Sequence, residues 1–535
     1  MGYLSVQGYA RRTELVKGRS LLEHLRALGV DINASCGGLG QCKQCLVQVN
    51  KSSMLSPMTD SEREFIRQLG YRLACQAYVV RDDEDLFVTV PERRFTILPT
   101  GKRKEIELDP CVKRLPIHGN TVYWNNRELG VYEGELLGLS LDIGTTTLSM
   151  YCTDLETGED LIVVSRENPQ MKYGNDVISR ITHARDHGQE PLEREIRKAA
   201  NEMIQSIPVE PSKIYETVVV GNPTMRDLFF GIPVEGLGEA PYNPFRKTAI
   251  YKNAEELGLA INPNAIIYGM PLISGFVGAD CIGVVLATDL HKGPVIRVAI
   301  DIGTNTEIVI GNNEKMIATS CASGPAFEGV GIKWGVGGVG GAIKNVSIDE
   351  DLRVSYSTIG DLSPIGICGS GLIDLLASML DRGIIDWRGR FTDERNEFVV
   401  VERDNPITFT EKDIDKLKLA KAAISLGIIT LVKMYNLTLD EVNKLYLAGG
   451  FGNFIDIENA KKIGLLPDIE LVRIEKVGNA ALEGAREALL SKKRREDVDY
   501  ISNNIEHISL ESIQDFSYEY MKELSFKRYS PDSKQ

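Results

Sequence analysis

Over residues 1–95 the apolar positions fall in short β-type runs: Leu4–Gln7, Cys45–Val49, Ala77–Val80 and Asp85–Val90. Runs of this length bounded by turn residues predict strands. Two helices are predicted between them. Ser20 can cap one that ends at Leu28, with Gly29 as its stop; Thr59 and Asp60 can cap another that ends at Leu69, with Gly70 after it. Pro91 and Pro99-Thr100-Gly101 punctuate the end of this small α+β unit. Residues 96–137 are mixed and charged, with no strong period, and read as a linker with a short hairpin near Asn125-Asn126. From Gly138 to the end at 535 the pattern changes. Apolar runs alternate with long helical segments, as in an α/β fold with largely buried strands. Within it Leu139–Thr147 is matched by Val298–Thr306, each a strand that ends in Asp-x-Gly-Thr. Two such copies predict two duplicated subdomains.

Composition narrows the classes. The net charge of −14 argues against nucleic acid or an anionic membrane as partner, because both need a basic surface. The basic runs Lys102–Lys104 and Lys492–Arg495 sit beside acids and read as solvated faces. No apolar stretch is long enough to predict a spanning helix, and no secretory signal is visible, so the expected location is the cytoplasm. There the nine cysteines are not expected to form disulfides, and six histidines leave little for zinc or haem chemistry.

Four of the cysteines cluster. Cys36, Cys42, Cys45 and Cys75 follow the spacing C-x5-C-x2-C-x29-C. Three close thiolates and one distant thiolate suit a loop and a later segment that grip a [2Fe–2S] cluster. Gly37, Gly38 and Gly40 let that loop curl so that its N–H groups face the cluster sulfurs. Structural zinc prefers two close cysteine pairs, and here the fourth cysteine stands alone. Cys111, Cys152, Cys281, Cys321 and Cys368 are scattered and read as core residues.

No Walker-type phosphate loop occurs. Gly335-Val-Gly337-Gly338-Val-Gly340 follows Lys333 and Trp334 rather than a clean strand, and reads as a flexible glycine loop. The paired turns are the better candidates. Gly144, Thr145, Thr146 and Thr147 in one, and Gly303, Thr304, Asn305 and Thr306 in the other, offer amides and hydroxyls that can clamp phosphates from two sides. Asp142 and Asp301 would hold Mg²⁺ mostly through its waters, since Mg²⁺ dehydrates reluctantly. A third strand, Leu445–Ala448, feeds Gly449, Gly450, Gly452 and Asn453, where a nucleoside can be approached closely. Asn479 then opens a small-residue helix suited to close packing.

In this order the motifs of residues 138–490 resemble the acetate/sugar kinase, heat-shock chaperone and actin superfamily, and the cysteine segment resembles ferredoxins of the adrenodoxin kind. The resemblance implies a β-grasp ferredoxin-like domain followed by a duplicated actin-like (ribonuclease H-like) ATPase. In sugar kinases of that superfamily an Asp at the place of Asp280 is the base, so Asp280 is expected to orient or deprotonate water; its other reading is a helix cap. Cys321–Gly329, with Gly324 and Glu328, resembles the nucleotide-side loop of dehydratase-activating ATPases. The combination resembles the reductive activators of corrinoid proteins. Further stretches that carry this likeness are Asn168–Arg180, Val220–Met225, Ala240–Pro244 and Ile367–Asp374. Longer members carry an extra middle domain where this chain has only the short interval 96–137, and the archaeal members carry two [4Fe–4S] clusters whose cysteines are absent here.

The family implies ATP- and Mg²⁺-dependent transfer of one electron from the [2Fe–2S] cluster to an inactive Co(II) corrinoid protein, restoring Co(I) for a methyltransferase system. It implies a low-potential donor of ferredoxin or flavodoxin type, and admits a homodimer. A plant-type centre sits near roughly −400 mV. A deficit of order 200 mV against cobalt would cost about 4.6 kcal/mol for one electron, which nucleotide-driven population shifts can supply. The alternative is a small-molecule kinase of the same superfamily with a fused redox-sensing iron–sulfur domain.

Overall fold

The computed structural model describes residues 2–7, 9, 11–30, 32, 45–66, 70–90, 104–115 and 120–526. Near the N-terminus β1 (Tyr3–Val6), β2 (Arg12–Glu14), β3 (Leu46–Val49), β4 (Tyr71–Leu73) and β5 (Leu86–Thr89) form one sheet in the order β2-β1-β5-β3-β4. β1 and β5 are parallel, and the other pairs are antiparallel. Both expected helix starts are capping boxes. Ser20 with Glu23 opens Leu21–Ala27, and Thr59 with Glu62 opens Asp60–Phe65. Glu62 has a second task. Fully buried, it accepts from Arg72 Nε at 2.9 Å and Arg72 Nη2 at 3.0 Å, which ties the helix to the strand leading to Cys75.

The segment read as linker has structure of its own. β6 (Val112–Leu115), β7 (Thr121–Trp124) and β8 (Arg127–Val131) form a three-stranded antiparallel sheet, which turns at Asn125-Asn126 as expected. Val112, Val122 and Leu129 share a buried core with Val218 and Val220, and Trp124 Nε1 donates to Glu216 at 2.7 Å.

The remainder is two lobes of one plan. The first sheet contains β9 (Leu137–Ile143), β10 (Thr147–Asp154), β11 (Asp160–Glu167), β12 (Ile214–Gly221), β13 (Ile250–Asn253) and β14 (Ile266–Gly269), in the order β11-β10-β9-β12-β14-β13. The second starts with β15 (Arg297–Ile302), β16 (Thr306–Gly311) and β17 (Met316–Cys321). Small sheets follow: β18 (Ala342–Ile348), β19 (Val354–Thr358) and β20 (Gly366–Ile367), then β21 (Glu397–Val401) with β22 (Ile407–Thr410). β23 (Lys444–Ala448), β24 (Ile474–Gly478) and β25 (Ile505–His507) complete the second sheet as β24-β23-β15-β16-β17-β25. In each lobe the hairpin's first strand lies between its own partner and a parallel strand, β12 or β23. The duplication read from the sequence is therefore a duplication of topology.

Two helices, Ala279–Thr288 and Ala480–Leu490, pack between the sheets. They meet at glycine. A Cβ on Gly484 would stand 2.1 Å from the Gly283 carbonyl oxygen, and one on Gly283 would stand 2.6 Å from that of Ala481. The basic run at 492–495 departs from expectation. Arg494 and Arg495 are buried rather than solvated, because Glu487 and Glu216 wait inside the lobe interface; Arg495 Nη2 is 2.6 Å from Glu216 Oε1. Among the described residues no helix is long and apolar enough to cross a membrane.

Candidate active site: two matched hairpins and a buried cysteine pair

A cleft of about 2170 Å³ opens between the lobes. Gly144, Thr145, Thr146 and Thr147 line it from the β9–β10 turn, and Gly303, Thr304 and Asn305 from the β15–β16 turn. Asp142, Asp280, Asp301, Glu328, Gly449, Gly450 and Asn479 line it as well. Four predicted residues do not. Thr306 is fully buried behind its turn and shares a 2.9 Å hydroxyl contact with Ser323. Gly452 closes a tight turn, where a Cβ would stand 2.5 Å from the Ala448 carbonyl. Gly324 and Asn453 lie beyond the lining.

Geometry explains the glycines that do. At Gly449 φ is 89°, and a Cβ would stand 2.7 Å from Asp301 Oδ1. Only glycine lets this backbone approach the carboxylate. Asn479 joins the lobes: its Nδ2 donates to Asp142 Oδ2 at 2.8 Å while its Oδ1 caps the Ala480–Leu490 helix. Thr304 Oγ1 donates to Glu328 Oε1 at 2.8 Å. Burial raises the Glu328 pKa, and the Thr304 and Thr146 hydroxyls pull it back, so Glu328 faces both turns. Phe327 stacks on Phe451 at 5.7 Å, which ties the Glu328 loop to the Gly449 segment. Asp280 is not the helix cap. That position is Gly278, and Asp280 Oδ1 accepts instead from Cys281 N at 2.8 Å while lining the cleft.

The cleft floor is acidic. Burial pushes Asp142 up to about 6, eased by its Asn479 bond. Burial, then Asp280 and Asp142, push Asp301 up to about 8. Asp280 is raised by burial and by Asp142, and Glu307 by burial, Asp280 and Asp301. Among the described residues no three side chains converge to hold a metal directly. The arrangement fits a hydrated cation beside phosphates, which would neutralise carboxylates that otherwise keep each other protonated.

The sequence reading missed the residues behind the turns. Asn168 Nδ2 donates to the Gly144 carbonyl at 2.9 Å, and Arg180 Nη2 to the Thr145 carbonyl at 2.5 Å. Asn222 Nδ2 donates to Thr145 Oγ1 at 3.1 Å. In the second lobe Ser323 Oγ bonds the carbonyls of Gly303 and Thr304 at 3.4 and 3.3 Å. Glu307 was missed too, although hairpin register pairs it with Asp301. Counting back from the turn would have found it.

In the N-terminal domain Cys45 and Cys75 are buried side by side, and the Cys75 amide donates to Cys45 Sγ at 3.4 Å. Gln76 Nε2 points to Cys75 Sγ at 3.7 Å. Amides aimed at sulfur suit thiolates that carry a cluster's negative charge. Cys36 and Cys42 lie outside the described residues.

Twin lobes with matched phosphate-type hairpins, carried in one chain with a ferredoxin-like domain, define an iron–sulfur protein with an actin-like ATPase. Residues 4–80 match the 2Fe-2S iron-sulfur cluster binding domain, 137–293 the RACo middle region, and 295–533 the C-terminal domain of RACo, the ASKHA domain. The chain is 32% identical to corrinoid activation enzyme RamQ of Eubacterium limosum, over 94% of this chain and 95% of that protein. It is 27% identical to the Co(II) methylated amine-specific corrinoid protein reductase of Methanosarcina barkeri, over 73% of this chain and 77% of that one. A solved structure titled reductive activator for corrinoid, iron-sulfur protein aligns over 98% of both chains, with 31% identity and a TM-score of 0.73. The chain belongs to the RACo family of corrinoid-protein activators. The family's middle region matches residues 137–293, which include the first lobe.

Proposed function

We propose that this protein is an ATP-dependent reductive activator. It accepts one electron from a low-potential donor of ferredoxin or flavodoxin type and passes it to a Co(II) corrinoid protein of a methyltransferase system, which becomes Co(I). ATP is hydrolysed to ADP and phosphate. When bound, the cluster supplies one-electron storage and Mg²⁺ supplies charge neutralisation beside the phosphates. Cys36, Cys42, Cys45 and Cys75 are the residues that hold the cluster. The two turns bind phosphates through amides and hydroxyls, Asp142 and Asp301 hold the hydrated cation, and Asp280 orients water. Gly449 and Gly450 leave room for the nucleoside. Closure about the Gly283–Gly484 crossing relays nucleotide state to the docking of the corrinoid protein. The reading takes residues 1–95, 96–137 and 138–535 as functional units, places them in the cytoplasm, where thiols stay reduced, and allows a homodimer.

The observation that carries it is the Cys45–Cys75 pair in one chain with a cleft flanked by two matched Asp-x-Gly-Thr hairpins. The test mixes the reduced protein with a Co(II) corrinoid protein, with and without ATP. Co(I) absorption that grows only with ATP is expected. Its absence across several corrinoid partners, with nucleotide binding intact, removes the reading.

A further inference from the structure

Six arginines are buried among the described residues, and five of them have a carboxylate. Arg72 has Glu62 at 2.9 Å, Arg226 has Asp227 at 2.7 Å, Arg486 has Asp160 at 2.8 Å, Arg494 has Glu487 at 2.7 Å and Arg495 has Glu216 at 2.6 Å. Arg180 is the exception. It is 0% exposed, and its described partners are neutral: the carbonyls of Thr145 and Gly174, Gln170 Oε1 at 3.3 Å and Met225 Sδ at 3.0 Å. The Asp176 carboxylate on the same helix bonds Ser179 instead. A buried cation with no carboxylate bonded to it is unfavourable; burial pulls Arg180 down to about 9, and the charge of Asp176 offsets only part of that.

What Arg180 touches shows where its counter-charge belongs. In a trans peptide the carbonyl and the following N–H point in opposite directions. Arg180 holds the Thr145 carbonyl from beneath, so the Thr146 N–H points the other way, toward the cleft that Thr146 lines. Asn168 does the same to the Gly144 carbonyl, and so turns the Thr145 N–H. Neither amide donates to another group among the described residues. Two adjacent amides aimed one way, with a cation behind them, make an anion cradle. The matching carbonyls of the second turn are held by the Ser323 hydroxyl, without a charge.

We propose that Arg180 is a positioning residue for nucleotide phosphate, and that a phosphate group on the first turn is the counter-charge it lacks, felt through the Thr145–Thr146 peptide. This rests on the ATPase reading and deepens it: it names the charge that backs the first of the two phosphate-holding turns. The test measures binding of MgATP and of adenosine to the full, cluster-loaded chain, in wild type, Arg180→Lys, Arg180→Met and Gln170→Glu. In Arg180→Met the ATP-to-adenosine affinity ratio is expected to fall roughly 10- to 100-fold, the range of a charge-assisted hydrogen bond. Adenosine affinity should stay within about twofold, and Arg180→Lys should recover part of the ratio. Gln170→Glu supplies an internal anion to Arg180 and should lower the ratio with Arg180 still present, so it decides the matter even where Arg180→Met does not fold. An unchanged ratio in Gln170→Glu, or equal losses for ATP and adenosine in Arg180→Met, overturns the proposal. Wild type that binds neither compound overturns the ATPase reading instead.

Discussion

The two lobes share a topology and a turn, and each puts an aspartate into the cleft, yet they back that turn with different groups. In the first, Asp142 faces Ser149 across the hairpin, and the turn is backed by Asn168, Asn222 and Arg180, which bonds no carboxylate. In the second, Asp301 faces Glu307, Thr304 bonds Glu328, and the turn is backed by a hydroxyl. The topology is duplicated, but an arginine stands behind the first turn while a second carboxylate stands beside Asp301 in the other. Phosphate and metal must lie side by side in a nucleotide site, and the buried arginine adds positive charge on one side of a cleft whose floor is acidic.

Breaking each hairpin in turn gives the largest effects. Asp301→Asn should reduce ATP hydrolysis by about 100-fold or more, the scale of losing a directed electrostatic group, while the visible spectrum of the cluster stays unchanged. Asp142→Asn should cost about tenfold less, because Asn479 already donates to that side chain and can keep an amide in place. Steady-state hydrolysis checks both, and equal losses would erase the distinction between lobes. A smaller effect comes from making the second hairpin resemble the first. Glu307→Ser reproduces the Ser149 arrangement and should raise the Mg²⁺ concentration needed for half-maximal turnover about tenfold, as loss of an outer-shell partner does. ATP affinity at saturating Mg²⁺ should hold within about twofold. A change in ATP affinity with no change in Mg²⁺ demand would put the cation elsewhere.

What the sequence disclosed follows from locality. The capping boxes at Ser20 and Thr59, the hairpin at Asn125-Asn126 and both Asp-x-Gly-Thr turns are set by residues a few positions apart. The helix after Asn479 showed its small residues openly, and Gly484 does meet Gly283. Hidden were the groups that act across the fold. Asn168, Arg180 and Asn222 reach the first turn from residues distant in sequence, and no local period marks them, although two of the family-like stretches contain them. Arg494 and Arg495 looked like surface because their carboxylates lie on other elements. β25 was invisible for the same reason: three residues become a strand only because β17 offers an edge. The four-cysteine spacing was legible, and the structure shows Cys45 and Cys75 together, with the other two outside the described residues.

The smallest effect, and the sharpest on the comparison, is in the pH dependence of stability. A carboxyl whose folded pKa is raised binds a proton in the native state that the unfolded chain has already released. Its contribution is present at low pH and is lost as pH rises through the folded value. Asp142 spans the interval from its ordinary 3.8 to about 6, and Asp301 from 3.8 to about 8. Without nucleotide or divalent cation, the unfolding midpoint of the ATPase lobes should therefore fall as pH is raised from 5 to 8, each group adding at most about 1.4 kcal/mol per pH unit. Asp142→Asn should flatten the profile chiefly below pH 6, where Asp142 itself titrates, with a smaller change above it because the Asp142 charge also raises Asp301. Asp301→Asn should flatten it up to pH 8, and Mg²⁺ added to the wild type should do the same by stabilising the ionised form. Thermal unfolding of the three proteins at pH 5, 6, 7 and 8 separates the two hairpins. Identical profiles for both variants would mean that the acidity of the cleft is shared equally, and that the lobes differ in sequence but not in charge.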